Sequence, residues 1–462
     1  MRKSRPTLQP QSLRRHRNRP GCLPWLAALL GLVFVAFLIY KIPWVNDRLA
    51  WRVDSFRTQI VYFFNPPDEA IFDPNQSGES LPTFTPTSAL AAVPSSTPGV
   101  SATPSPTDVP LPEAVTLDGV IYVDQHNRWN YCAPANLTMA LNFWGWEGDR
   151  DDVARYIKPG VNDPSKTFVE QGFWDKNVMP YEMEDFVDSQ VPGMQAAVRE
   201  GGDIMLIKRL IAAGFPVIVE KGYYEEDYTG AYGWFGHYLY VTGYDDAGQY
   251  FIVQDAYLKT GDNGTGANLH SSYEEFETQW RYFNYLFMVV YPEERLDDVI
   301  AVLGPWNDAT WASQNALETA IAETQSLTGI DQYFAQFNVG ASQVNLMQYV
   351  DAAHAFDYAF QLYENLGGDD TQRPYRIMWY RTEPYWAYYY SGTYQRVIDL
   401  ANNTLYNTIS EPTLEESLYW RGLAYQALGQ LGNAEADFRE TIRLNPNFAP
   451  GYAALENMGL TP

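Results

Sequence analysis

The period of the apolar positions divides the chain into segments. Residues 23–45, LPWLAALLGLVFVAFLIYKIPWV, are apolar apart from Lys41, a run long enough to cross a bilayer, which takes roughly 20 residues. Trp25, Tyr40 and Trp44 stand near its two ends, where aromatic rings favour the membrane interface. Between residues 66 and 114 the pattern gives way to Pro, Ser and Thr. Such a composition cannot bury a core and reads as an extended, disordered stalk. From 115 to 292 helical and strand-like patterns mix. DRDDVARYI and DIMLIKRLIAAG have helical spacing, the second closing at Gly214. FPVIVEKGYY, HYLYVTGYDD, QYFIVQDAY and NYLFMVVYP follow as β-rich runs with turn residues between them. Helices first and strands after predict an α+β domain with an antiparallel sheet.

From 304 to 462 the pattern is helical and repeats itself. The last unit, SLYWRGLAYQALGQLGNAEADFRETIRLNPNF, carries Gly422, Tyr425, Gly429, Ala434, Phe438 and Pro446 at the small, aromatic and breaker positions of a tetratricopeptide unit. Gly422 and Ala434 would let two helices approach, Phe438 would fill the space between them, and Pro446 would end the second. Tyr388, Gly392, Tyr394, Val397 and Ala401 form a weaker copy, and Gly340, Ala352, Phe356 and Ala359 another. The expectation is an all-α helical repeat domain that offers a groove to a protein partner.

Charge refines the topology. The formal net charge is −25, which removes any general electrostatic affinity for nucleic acid. The first 22 residues are instead basic and free of acids. A basic flank ahead of an apolar run keeps the N-terminus in the cytoplasm. The reading is a cytoplasmic tail (1–22), an uncleaved single-pass transmembrane helix (23–45) and extracytoplasmic domains beyond the stalk. The chain has two cysteines. Cys22 falls at the membrane edge, so Cys132 is alone in the outer portion, as a buried filler or as a nucleophile.

The stretch DQHNRWNYCAPANLTMALNFWG favours the nucleophile. Cys132 opens a helix-compatible run, where the helix dipole and free N–H groups stabilise a thiolate. The Cys132 backbone N–H and the Gln125 side chain could together bind an oxyanion. A thiolate needs a base. His16 is in the tail, His354 in a repeat helix, His126 beside Gln125 and His270 after a Gly/Asn-rich loop. His237 opens the strand HYLYVTGYDD and is the candidate base. Asp255 ends the next strand, joined to the first through the DDAGQ turn, and is placed to orient the imidazole. The acids Glu225, Glu226 and Asp227 read as a solvated loop. No Cys/His cluster suggests a metal, and no cofactor is expected.

These motifs, with Asn142-Phe-Trp-Gly after the cysteine and Gly236-His237 ahead of Gly-Tyr-Asp, resemble the papain-like cysteine peptidases related to bacteriocin double-glycine-leader peptidases. That family has Gln shortly before Cys-Gly-Pro-Ala, a Gly-His strand and a later Asp-Pro. The resemblance covers about residues 115–292. It implies a peptidase acting on a peptide or protein through Cys132, His237 and Asp255, with Gln125 as oxyanion donor. Ala133 stands where the family has Gly and Ala256 where it has Pro. Ala133 adds a methyl beside the thiol and keeps a second reading open, a catalytically inactive scaffold or binding protein. No phosphate-binding loop of a fused ATPase is present, so leader processing is not implied.

Overall fold

The computed structural model describes residues 22–42, 72–82, 110–128, 130–158, 178–226, 232–366, 373–407 and 414–462, with isolated residues between 45 and 60. Residues 1–21 of the tail, most of the stalk and Asp227 lie outside the described residues. Residues 1–50 and 51–462 form two compact units. The first holds α1 (Cys22–Tyr40), whose described apolar side chains, Leu29 to Ile39, are exposed. Among the described residues no helix is long and apolar enough to cross a membrane. The transmembrane segment expected over 23–45 is therefore without structural support.

The second unit begins its α+β portion at β1 (Ala114–Thr116). There follow α2 (Cys132–Phe143), α3 (Arg150–Ile157), α4 (Pro180–Gln190), β2 (Met194–Arg199), α5 (Ile204–Ala212), β3 (Val217–Glu226), β4 (Tyr232–Asp245), β5 (Tyr250–Gln254), β6 (Leu269–Ser272), α6 (Tyr273–Arg281) and β7 (Phe287–Pro292). The sheet runs β2-β7-β3-β4-β5-β6, with β1 also on β4, and every pairing is antiparallel. Alternation along the central strands sorts the core into two layers. Val217, Val219, Leu239 and Val241 pack with α5 and α6 on one face. Ile218, Tyr238 and Tyr240 pack with α2, α3 and α4 on the other. Caps set the helix starts: Asp203 accepts the Leu206 N–H at 2.6 Å ahead of α5, and Asp149 forms a capping box ahead of α3.

Three details depart from expectation. β2 lies among the helices and α6 interrupts the run of strands, so the order is not simply helices and then strands. Glu225 and Glu226 end β3 instead of forming a loop. β4 begins at Tyr232, ahead of His237, which therefore stands within the strand. Gly233 and Gly236 had obscured that beginning. Both are close-approach positions: a Cβ at Gly236 would come within 2.6 Å of the Tyr380 ring, and one at Gly233 within 3.0 Å of the Arg376 guanidinium.

The helical portion comprises α7 (Leu296–Leu303), α8 (Ala309–Ser326), α9 (Gly329–Asn345), α10 (Tyr349–Asn365), α11 (Glu383–Tyr390), α12 (Tyr394–Asn402), α13 (Glu415–Ala427), α14 (Leu431–Leu444) and α15 (Ala449–Asn457). The same device joins two of its helix pairs. A Cβ at Gly340 of α9 would lie 2.7 Å from the Phe356 ring of α10, and one at Gly422 of α13 would lie 2.6 Å from the Phe438 ring of α14. Arg421 adds a buried bidentate pair with Asp437, at 2.8 and 2.7 Å. Within the stretch read as a free stalk, residues 72–82 instead lie against these helices. Phe72 meets Phe360 edge-on at 5.2 Å, and Arg396 donates to the Glu79 carbonyl at 2.9 Å. Phe72 and Leu81 give this part apolar anchors that the Pro/Ser/Thr-rich part lacks.

Replacing Gly422 with Val should destabilise the chain by about 1–3 kcal/mol through overpacking against Phe438. Gly432→Ala, in α14 with nothing near its Cβ, should be neutral or slightly stabilising. Chemical denaturation of the two variants tests the contrast.

Candidate active site

The site lies where the N-terminus of α2 meets β4 and the end of β5. Cys132 is the first residue of α2 and no side chain caps that terminus, so the dipole and first-turn N–H groups remain directed at the thiol. The helix is tied to the histidine strand by Asn136, whose amide donates to the Cys132 carbonyl at 2.8 Å and to the Tyr238 carbonyl at 3.0 Å. Cys132, His237 and Asp255 are all buried, at 5%, 4% and 2% exposure.

The β4–β5 hairpin brings His237 and Asp255 together. The imidazole Nε2–H donates to Asp255 Oδ1 at 3.0 Å. That oxygen also accepts the backbone N–H groups of Tyr257 and Leu258, at 2.8 and 3.0 Å. With Nε2 so engaged, Nδ1 is the ring nitrogen left to serve the sulfur, and His237 and Cys132 are close enough for each to act on the other's ionisation. Gln125 is fixed beside the same turn, its N–H donating to the Ala256 carbonyl at 2.9 Å. Its Oε1 is buried and has no hydrogen-bond partner among the described residues.

The ionisation of these groups is coupled. Burial disfavours the imidazolium, but the charge and hydrogen bond of Asp255, and then Cys132, outweigh it and raise His237 to about 9. Burial would likewise push the Cys132 thiol up. The hydrogen bond and charge of His237, with smaller help from the Tyr238 N–H and Lys158, bring it below its ordinary value. Burial also opposes ionisation of Asp255, yet His237, Lys221 and the turn N–H groups hold it far below the carboxylate range. The arrangement therefore favours a thiolate–imidazolium pair, the reactive form of a nucleophilic cysteine.

Several supporting residues escaped the sequence reading. Tyr122 donates to the Asp255 carbonyl at 3.0 Å and accepts the Gly266 N–H at 3.1 Å. A Cβ at Gly266 would come within 1.8 Å of the Asp255 carbonyl oxygen, so only glycine fits there. Lys221 faces His237 in the β3–β4 register, and the Tyr223 ring meets the imidazole at 5.7 Å. The remaining histidines are elsewhere engaged. His126 bonds the Tyr257 carbonyl at 2.8 Å, His270 stacks on Tyr250 at 3.8 Å, and His354 contacts the Pro82 carbonyl at 3.4 Å. His16 lies outside the described residues. Ala133 is fully buried in the α2 core layer, so its methyl packs inward. Ala256 is also fully buried.

A cavity of about 470 Å³ is bounded among others by Met179, Glu200, Glu220, Phe283, Tyr380 and Arg381, and none of Gln125, Cys132, His237 and Asp255 lines it. Its volume falls in the range of ligand pockets. Glu182, Glu415 and Glu416 form a buried acidic group between α4 and α13. They accept from the Met179 N–H, the Asn445 amide and the Tyr181 hydroxyl respectively, at 2.7, 2.8 and 2.9 Å, which makes the group a polar junction.

Fold and site thus define a peptidase-like α+β domain joined to helical repeats. Residues 117–288 match the family described as Peptidase_C39 like, and residues 415–448 match the tetratricopeptide repeat. The chain is thus similar to the C39-like peptidase family over its α+β portion and to the tetratricopeptide repeat over α13 and α14. Among solved structures it is similar to a crystal structure described as a C39-like peptidase from Bacillus anthracis. The identity is 17%, covering 39% of this chain and 99% of that one, with a TM-score of 0.30. Nothing among curated proteins matches the chain.

Asp255→Asn should bring the His237 pKa from about 9 down toward the ordinary value of about 6.5, read from the imidazole resonances in an NMR titration. The sign carries into stability. A raised histidine pKa stabilises the fold fully below its unfolded value and loses that contribution as pH rises through about 9. The variant should therefore show a smaller loss of stability over that window.

Proposed function

We propose that the protein is a membrane-anchored, extracytoplasmic thiol hydrolase that cleaves peptide or amide bonds. The observation that carries this is the buried chain from Asp255 through His237 to Cys132, on a domain matched to a peptidase family. In this reading the Cys132 thiolate attacks the carbonyl carbon, and the electron pair of the C=O bond moves to oxygen. The oxyanion takes hydrogen bonds from the Cys132 N–H and the Gln125 side-chain amide. His237 gives its Nδ1 proton to the leaving amine as the C–N bond breaks. It then takes a proton from water, which attacks the thioester and releases the acid and the free thiol. Asp255 remains ionised throughout and holds the ring. The repeats would recruit a protein partner or the substrate itself.

The anchor rests on the apolar run 23–45 and the basic residues ahead of it. It would keep the N-terminus cytoplasmic and the hydrolase outside. Recovery of the full chain in the membrane pellet after alkaline carbonate washing supports this; release into the supernatant contradicts it. The second reading, a catalytically inactive scaffold or binding protein, draws on Ala133, which is buried in the same core layer as Cys132; an inert Cys132 would favour it.

Iodoacetamide labelling with peptide mapping tests the catalytic reading. At pH 6.5 the wild type should label at Cys132 well above the rate of an ordinary thiol, whose pKa is about 8.5. Cys132→Ala should abolish that adduct while leaving Cys22 as an internal control, and His237→Ala should slow labelling on the order of 100-fold. Hydrolysis should decline above about pH 9 as His237 loses its proton. A Cys132 that stays inert, or labels only at alkaline pH, would leave the domain without a nucleophile.

A further inference from the structure

The 470 Å³ cavity lies between the α+β and helical portions. Its walls come from β2, β3 and the turn before β7 on one side, and from α8, α9 and the segment leading into α11 on the other. It opens beside Ala309 and Thr310, which are exposed at the start of α8. Val198, Phe283 and Leu286 give it an apolar part, and its charged residues are Arg199, Glu200, Glu220, Arg381 and Glu383. A polar ridge holds two of these. Asn338, Ser342 and Asn345 recur along one face of α9. Asn338 accepts from Arg381 Nη1 at 3.2 Å. Ser342 accepts from the Asn284 amide at 2.9 Å, and that amide also donates to Glu200 Oε2 at 2.5 Å. Asn345 donates to the same oxygen at 3.1 Å. Asn284, Asn338 and Ser342 are buried, a placement polar groups tolerate only when bonded, and here their bonds serve the charges of the cavity.

Those charges do not close among themselves. Arg199 gives its guanidinium to the backbone carbonyls of Val198, Trp306 and Asn307. Arg381 meets Glu383 through one bond, Nε to Oε1 at 2.8 Å. Its Nη2 and the Glu383 Oε2 are buried with no hydrogen-bond partner among the described residues. On Glu200 only Oε2 is bonded, to the two amides, and no described cation lies within ion-pairing distance. Desolvation accordingly raises its carboxyl to about 7, against the pull of Arg381. Glu220 is a further buried acid. A guest that suits this wall brings a positive charge for the acids and an acceptor for the guanidinium.

We propose that this cavity binds an α-aminoacyl group with an apolar side chain, as found at the amino end of a peptide or in a free amino acid, apart from the Cys132 thiol. The ammonium of such a group donates to Glu200 and supplies the missing charge. Its carbonyl oxygen, on the adjoining carbon, accepts from Arg381. Its side chain lies against Phe283 and Leu286. A bare cation would leave the guanidinium unserved, and a simple carboxylic acid would add to the excess of acids. Binding there does not require an active Cys132.

Isothermal titration calorimetry of the full chain with leucinamide tests this, alongside thermal unfolding. Leucinamide should bind, and N-acetyl-leucinamide, which lacks the charge, should bind about tenfold more weakly, the worth of a hydrogen bond to a charged group. Glu200→Gln keeps an acceptor for both amides and loses the charge, and should weaken leucinamide by a similar factor. Cys132→Ala should leave the affinity unchanged, which separates the cavity from the catalytic groove. Should Glu200→Gln melt well below the wild type, Thr310→Trp narrows the exposed mouth without touching the polar ridge and should weaken binding likewise. Free leucine and the dipeptide Leu-Leu, titrated into Cys132→Ala, distinguish the sources: equal affinities assign a free amino acid, and tighter binding of the dipeptide assigns a peptide end. Leucinamide that does not bind at millimolar concentration overturns the proposal. So does an acetylated ligand that binds equally well, binding lost with Cys132, or binding untouched in a folded Glu200→Gln or Thr310→Trp.

Discussion

A carboxylate removed from water stays ionised only if its surroundings replace the lost hydration, and the site depends on how Asp255 meets that condition. Its Oδ1 accepts from His237 and from two backbone N–H groups of its own turn, and Lys221 adds charge from the neighbouring strand. Because the negative charge is secure, the imidazole beside it holds a proton that burial would otherwise remove. Because the imidazole is charged, the thiol beyond it can ionise in a place where an isolated thiolate would be unfavourable. Each buried charge is made possible by the next. The whole series fails if the turn carrying Asp255 moves.

That dependence explains why so much of the architecture consists of close backbone approaches. Gly266 lets a second loop press against the Asp255 carbonyl, and Tyr122 bridges the two. Asn136 ties the cysteine helix to the histidine strand through two carbonyls. Gly236 admits the Tyr380 ring against the same strand. In each case a small or amide-bearing residue allows one backbone to be read by another element. The tolerances are those of van der Waals contact and not of flexible side-chain reach.

The candidate triad was legible in the sequence because its members punctuate regular patterns. Cys132 opens an apolar helix, His237 falls in an apolar strand, and Asp255 closes the next strand after a turn of evident type. The repeat glycines and their phenylalanine partners were legible for the same reason, being spaced within a recurrent unit. The start of β4 was hidden because Gly233 and Gly236 break the alternation, and what they accommodate is more than a hundred residues away. Gly266, Tyr122 and Tyr380 were hidden likewise: their roles exist only once distant segments meet, and nothing local in DNGTGANLH or RIMWYRTEPYW marks them. The docked segment 72–82 was absorbed into the stalk because two apolar residues in a polar, proline-bearing stretch give no periodic signal.

A crystal structure of the full chain with a peptide aldehyde, a mimic of the tetrahedral intermediate, addresses the central claim most directly. The account expects the aldehyde carbon bonded to Cys132 Sγ and its oxygen within hydrogen-bond distance of the Gln125 amide and the Cys132 N–H, with His237 still on Asp255. An aldehyde left unbound, or attached with its oxygen turned away from Gln125 and His237 swung off Asp255, would contradict it.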